Sequence, residues 1–183
     1  MTVEQDLKEA EKKGKWLKQL AGFIVEANRN TWAADAPEAA PQRPDHHELS
    51  YQKSDWELRD SYCGYFRAPG TTVVYYKGKA VWTMFYFGPG MTKGKEGDAK
   101  RIFNNVLKPA LIQVPEDLPL RGPKRFEKDG CLYSFTLLRG NLEDFLAEEE
   151  ITEGDETMFA QTIGGGIIIH KDKNRQPVHP WNL

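Results

Sequence analysis

Apolar residues over 4–28 recur with a helical period. Leu7, Ala10, Gly14, Leu17, Ala21 and Ile24 fall at steps of three and four, and Trp16, Leu20, Phe23 and Ala27 form a second stripe beside them. This spacing predicts an amphipathic helix whose second half packs on the body. Its first half is mostly Glu and Lys, with i,i+4 pairs such as Glu9–Lys13, and reads as a solvated extension. Residues 29–48 carry three prolines and many alanines, which predicts an extended surface connection with Trp32 as its anchor.

From about Glu48 the period shortens to two. Trp56–Cys63 is a strand candidate, and Thr71–Tyr76 and Lys79–Phe87 flank Lys77-Gly78, the signature of a tight hairpin. The run VVYYKGKAVWTMFYF is apolar and aromatic on both alternating faces near its end, so a central strand covered on both sides is expected. A helical stripe follows in Ala99, Ile102, Phe103, Val106, Leu107, Ala110 and Leu111, with Asp98 placed as N-cap and Pro109 as a kink or break in a helix over 98–114. Hairpin signals return at Asp129-Gly130 and Gly154, and Gly164-Gly165-Gly166 precedes a last apolar strand, Ile167–Ile169. The expected fold is α+β: a curved antiparallel sheet of about six to eight strands, with the N-terminal and central helices packed on it.

A displacement of 76 residues sets Gly64 against Gly140, Gly78 against Gly154, Gly88 against Gly164 and Gly90 against Gly166. That punctuation suggests two degenerate hairpin repeats, 55–91 and 131–167, although side chains outside the glycines match poorly. The organisation is therefore an N-terminal helix (1–28), an extended connection (29–48), an α+β domain (49–170) and a polar tail (171–183), mobile apart from Trp181.

Composition narrows the classes of function. The chain has 183 residues, a formal net charge of −2 and an even mixture of acidic and basic residues. Nucleic-acid binders usually show a basic excess, so nucleic acid is disfavoured. Two cysteines, Cys63 and Cys131, stand far apart with no CxxC pair, and no apolar run reaches the ~20 residues that cross a bilayer. With no secretory signal at the N-terminus, a soluble cytoplasmic protein is expected.

Several segments resemble a bacterial domain family of unknown function that occurs alone or at the C-terminus of helix-turn-helix regulators of the XRE type. They are EANRNTWA (26–33), ELSY (48–51), RDSYCGY (59–65), VVYYKGKAVWTMFYFG (73–88) and LRGP (120–123), with a weaker EEEITEG at 148–154. A single helix precedes the domain here, so direct DNA reading does not carry over. The resemblance implies a sensor or interaction module and brings no activity with it.

The residues offer few chemical constellations. Cys63, beside Asp60 and Ser61, is either a nucleophile awaiting a histidine base or a small packed hydrophobe. The loop from Gly88 to Lys95 lacks the spacing of a phosphate loop and is expected to be a mobile surface loop, with generic anion binding through Lys93 and Lys95 as the alternative. Asp45-His46-His47-Glu48 holds ligand types for zinc, but adjacent residues rarely chelate one ion together; neither a metal nor a cofactor is expected. Arg121 can form a bridge to Asp60 or hold a carboxylate ligand. The aromatics around 62–86 either fill the core or line a cleft between the halves, near the Gly88–Gly90 exit. The ligand-binding set is thus Trp82, Tyr86, Tyr62, Arg121 and Asp60. The reading is a non-enzymatic small-molecule-sensing or interaction module. The alternatives are an enzyme with a cleft using Asp60, Cys63 or Arg121, and an immunity- or antitoxin-like protein binding its partner through the first helix or the acidic run Glu148–Glu150.

Overall fold

The computed structural model describes residues 3–183. Helix α1 (Val3–Asn28) leads, through a short 3-10 turn at Trp32–Ala34, into eight strands: β1 (His47–Lys53), β2 (Trp56–Tyr62), β3 (Gly70–Tyr76), β4 (Lys79–Met91), β5 (Arg125–Lys128), β6 (Cys131–Asn141), β7 (Asp144–Glu153) and β8 (Glu156–Ile167). They form one antiparallel sheet in the order β1-β2-β3-β4-β8-β7-β6-β5. Each half is a four-stranded meander, and the halves meet where β4 and β8 pair. The expected α+β class and strand number are therefore the observed ones. Tight turns explain the meanders: Lys77 and Gly78 take φ of 50° and 75°, and Asp129 and Gly130 take 53° and 76°, the twist that suits a two-residue hairpin.

Helix α1 and a central helical rod cover one face of the sheet. The rod runs through α2 (Ala99–Arg101), a π-helical stretch (Ile102–Leu107) and α3 (Lys108–Ile112). Proline lacks an N–H and its ring presses on the carbonyl four residues back. Upstream of Pro109 the rod widens into π geometry, with the Lys108 N–H donating to the Phe103 carbonyl, so the helix continues instead of breaking. Asp98 is not an N-cap: its backbone is already helical, and its carboxylate pairs with Arg101 at 3.1 Å.

Strand β4 is covered on one face only. Trp82, Met84 and Tyr86 are buried under the helices, while Phe85 and Phe87 on the other face are 50% and 54% exposed. The glycines at 164–166 lie inside β8, paired with Phe85, Met84 and Thr83. A Cβ on Gly165 would stand 2.1 Å from the Thr83 carbonyl oxygen, so the missing side chain lets β4 and β8 approach closely along the seam between the halves.

Two terminal expectations also change. The tail folds: β9 (His170–Lys171) pairs with β10 (Pro177–Val178), and Trp181 is buried against Trp16 of α1. Trp181 Nε1 donates to Glu9 at 2.5 Å. Glu9 therefore serves the tail, and Lys13 pairs with Glu143 at 2.6 Å, not with Glu9. No helix among the described residues is long and apolar enough to cross a membrane.

Candidate functional site: a buried polar wall in an aromatic cavity

Strand alternation places three polar side chains where a core would have apolar ones. On β2 the inward series is Leu58, Asp60, Tyr62; on β7 it is Ala147, Glu149, Ile151; on β8 it is Phe159, Gln161, Ile163. Register brings them into two groups, because Asp60 lies opposite Thr72 and Glu149 lies opposite Gln161. Burying such groups is costly unless each finds hydrogen-bonding partners, and these do.

Asp60 accepts from Thr72 Oγ1 at 2.6 Å and from Tyr86 Oη, which is 3.1 Å from both carboxylate oxygens. Tyr86 reaches across β3 because residue 70, its partner in register, is glycine; a Cβ there would stand 2.3 Å from the Tyr86 hydroxyl oxygen. Gly122 does the same for Tyr133, whose hydroxyl would be 2.3 Å from a Cβ at 122. Tyr133 donates to Glu149 at 2.7 Å, and Gln161 Nε2 donates to its other oxygen at 2.5 Å. Arg121 joins the two groups. Its Nε lies 3.3 and 3.4 Å from the Glu149 oxygens, and its guanidinium sits over the Tyr86 ring, 5.2 Å from the centroid, in cation–π geometry.

The electrostatics follow from burial. Desolvation pushes the Asp60 carboxyl above its ordinary value, and the hydrogen bond from Thr72, the nearby Arg121 charge and the Tyr86 hydroxyl only partly oppose it. Burial would lower Arg121, but the Glu149 charge, with Tyr86, Tyr133 and Asp60, holds it above its ordinary value, so it stays a cation. Burial also raises Tyr86 well above the ordinary phenol range and pushes Tyr62 up to about 12. Both hydroxyls are therefore neutral donors at physiological pH.

This wall bounds a cavity of about 120 Å³. Opposite it stand apolar groups from the turn after α1 (Trp32, Ala33), the central rod (Phe103, Leu107) and β8 (Phe159). Tyr65, 56% exposed, and the half-buried Ala68 lie toward its outer side. An apolar enclosure with a few convergent polar groups is the usual form of a small-ligand site.

The structure brings Tyr62, Tyr86, Arg121 and Asp60 together around this cavity. Trp82 is elsewhere: it is 1% exposed, stacked on Phe145 at 6.0 Å, and its Nε1 donates to the Leu142 carbonyl at 2.9 Å. Arg121 pairs with Glu149 and makes no direct hydrogen bond to Asp60. Cys63 is half-buried and does not line the cavity, and no histidine lines it either. His47 pairs with Glu38 at 2.8 Å, and no group of three or more His, Cys, Asp or Glu among the described residues is arranged to hold a metal. Within the acidic run, Glu149 is fully buried while Glu148 is exposed, because neighbours on a strand face opposite ways. Sequence reading missed Glu149, Gln161 and Thr72 as parts of the wall. The available signal was one polar residue inside an apolar period-two series, as in Phe145-Ala147-Glu149-Ile151.

The raised Asp60 carboxyl gives a pH test. A carboxyl that holds its proton more tightly folded than unfolded costs stability as pH rises from the unfolded value, about 4, through the folded one. The Asp60→Asn variant should therefore gain melting temperature relative to wild type as pH climbs from 4, with the gap flattening above the folded value. Paired thermal melts across pH 4–8 check this; a constant gap would show that Asp60 does not titrate differently in the folded state.

No curated protein and no solved structure matches the chain. The family model described as Domain of unknown function (DUF5680) matches residues 60–168, from Asp60 to just past the end of β8, and the chain belongs to that family.

Proposed function

We propose that the domain is a non-enzymatic small-molecule-binding module, with its site in the cavity between the sheet, the turn after α1 and the central rod. The observation that carries this reading is the polar wall of Asp60, Tyr86, Arg121 and Gln161 set into otherwise apolar, aromatic surroundings. A core serving stability alone would be filled with apolar side chains at lower desolvation cost. The likeness of RDSYCGY and LRGP to domains that follow bacterial helix-turn-helix regulators suits a sensing role. The two meanders, whose strands fall at the 76-residue displacement of the glycines, support reading the sheet as two diverged copies of one unit.

A thermal-shift screen against a metabolite library tests the proposal. A ligand at a hundred times its dissociation constant adds about 2.7 kcal/mol, roughly a 5–10 °C rise for a chain of this size. Ala68→Trp, at the outer side of the cavity, should abolish that rise while melting as a folded protein. A screen without hits, or hits unaffected by Ala68→Trp, would remove the reading. A second reading, an enzyme with Asp60 as acid–base group, draws on the same desolvated carboxyl. Recovery of the bound compound chemically unchanged after prolonged incubation decides against it.

A further inference from the structure

The class of ligand follows from which hydrogen-bonding groups of the wall are already used. Glu149 is fully occupied, accepting from Tyr133, Gln161 and Arg121 Nε. Asp60 accepts from Thr72 and Tyr86, leaving lone-pair capacity on a group that lines the cavity. Arg121 differs. It spends only Nε on protein, and among the described residues no protein group accepts from Nη1 or Nη2. These carry four of its five N–H donors in a rigid fork, and the side chain is only 16% exposed. A guanidinium so enclosed calls for an acceptor edge on whatever occupies the cavity.

Charge then restricts that edge. The wall contains one cation, Arg121, and two carboxylates, Asp60 and Glu149, so the guanidinium has no charge left to offset. An anionic ligand would add a further negative charge to a low-dielectric enclosure, where like charges are strongly unfavourable. A cationic ligand would face the open fork of Arg121. Both charged classes therefore lose to a neutral one. Burial favours the neutral form of Asp60; the wall then has no net charge, which sharpens the same preference. Shape adds the last restriction. Trp32, Tyr62, Tyr65, Phe103 and Phe159 present ring surfaces around a cavity of about 120 Å³. An engineered cavity of about 150 Å³ accommodates benzene, so this somewhat smaller space suits a single ring.

We infer that the site takes an uncharged, flat heterocycle of single-ring size carrying a lactam or amide edge, its carbonyl oxygen on the Arg121 fork and its N–H toward Asp60, with the ring stacked among Trp32, Tyr62 and Phe103. This rests on the binding function proposed above and names its ligand class. Two N–H groups of the guanidinium fork can share the two lone pairs of one carbonyl oxygen, which satisfies the fork with no added charge. Aromatic stacking holds flat rings of this size with tolerance for substituents.

Matched pairs test the charge argument on the intact chain. Nicotinamide against nicotinate and uracil against orotate keep the ring while exchanging a neutral group for an anion; benzamide against benzamidine exchanges it for a cation. Titration calorimetry should give the neutral member of at least one pair a dissociation constant ten-fold or more below that of its charged partner. Arg121→Lys, which keeps the charge and loses the fork, should weaken that neutral compound at least ten-fold. Its fold is checked by circular dichroism, and Phe87→Ala, on the exposed face of β4 and outside the cavity lining, serves as the folded control with affinity unchanged. Nicotinate, orotate or benzamidine binding as tightly as its neutral partner, in a manner blocked by Ala68→Trp, would overturn the neutral-heterocycle class while leaving the cavity a ligand site. Binding of the neutral compound that Ala68→Trp does not affect would overturn the location. No binding by any panel member, with an unrelated compound found in the cavity by native mass spectrometry, would also overturn the class; no binding by anything would overturn the binding function itself.

Discussion

Arg121→Met should lower the unfolding free energy by about 3–5 kcal/mol, the cost of removing one partner from a buried ion pair. For a chain of this size that is a fall of roughly 6–20 °C in melting temperature. The reason is Glu149, which is 0% exposed and would be left with only the neutral donors Tyr133 and Gln161. The double variant Arg121→Met with Glu149→Gln removes the stranded charge while keeping an acceptor for the Tyr133 hydroxyl, and should recover most of the loss. Chemical denaturation of the three proteins checks both statements. A cost for Arg121→Met under about 1 kcal/mol, the worth of an exposed pair, would show that the pair is not the balancing charge of the wall.

Trp82→Ala should cost a comparable amount, about 3–5 kcal/mol, through the cavity left by a large buried ring. The ring is packed against Phe145, and its N–H satisfies the Leu142 carbonyl; truncation loses the packing and leaves that carbonyl without its side-chain donor. Unlike changes at Tyr86 or Asp60, it should leave ligand affinity within about two-fold, measured on protein well below its melting temperature, because Trp82 does not line the cavity. The two substitutions separate the roles that sequence alone had merged: both destabilise, and only Arg121→Met should also abolish recognition of the acceptor edge. A loss of affinity in Trp82→Ala beyond ten-fold, at full folding, would place Trp82 in the site after all.

Why the wall was only partly legible is visible in individual residues. Asp60, Tyr62, Tyr86 and Arg121 stood out locally, as polar or amphipathic groups in strand-like or proline-flanked surroundings. Trp82 shares the inward face of β4 with Tyr86, and period two puts both on that face without saying how far apart they stand along it. Tyr86 looks onto the Asp60–Arg121 group, whereas Trp82, four residues earlier, faces Phe145 and the β6–β7 turn. Glu149 was hidden for the opposite reason. In the string Glu148-Glu149-Glu150 it reads as a solvated acidic run, and only strand alternation, anchored by Phe145 and Ile151, turns the middle carboxylate inward. The rod over 99–112 was legible in its stripe, while Pro109 suggested a kink or a break where the rod instead widens into a π-helical stretch.

By itself the sequence determined the period of each element, the tight turns at Lys77-Gly78 and Asp129-Gly130, the α+β class and the antiparallel character of the sheet. These follow from local rules, since backbone conformation and side-chain periodicity depend on neighbours in the chain. The pairing of β4 with β8, the single covered face and the folding of the tail onto α1 were decided by tertiary structure. So was the meeting of Asp60 from β2, Tyr86 from β4, Arg121 from a loop and Glu149 from β7 on one wall. The physical reason is register: a strand fixes which face a side chain takes, but the identity of its neighbours depends on which strands lie alongside and how they are staggered. Two glycines, Gly70 and Gly122, carry that decision into chemistry, because their missing Cβ atoms let Tyr86 and Tyr133 reach carboxylates on other strands.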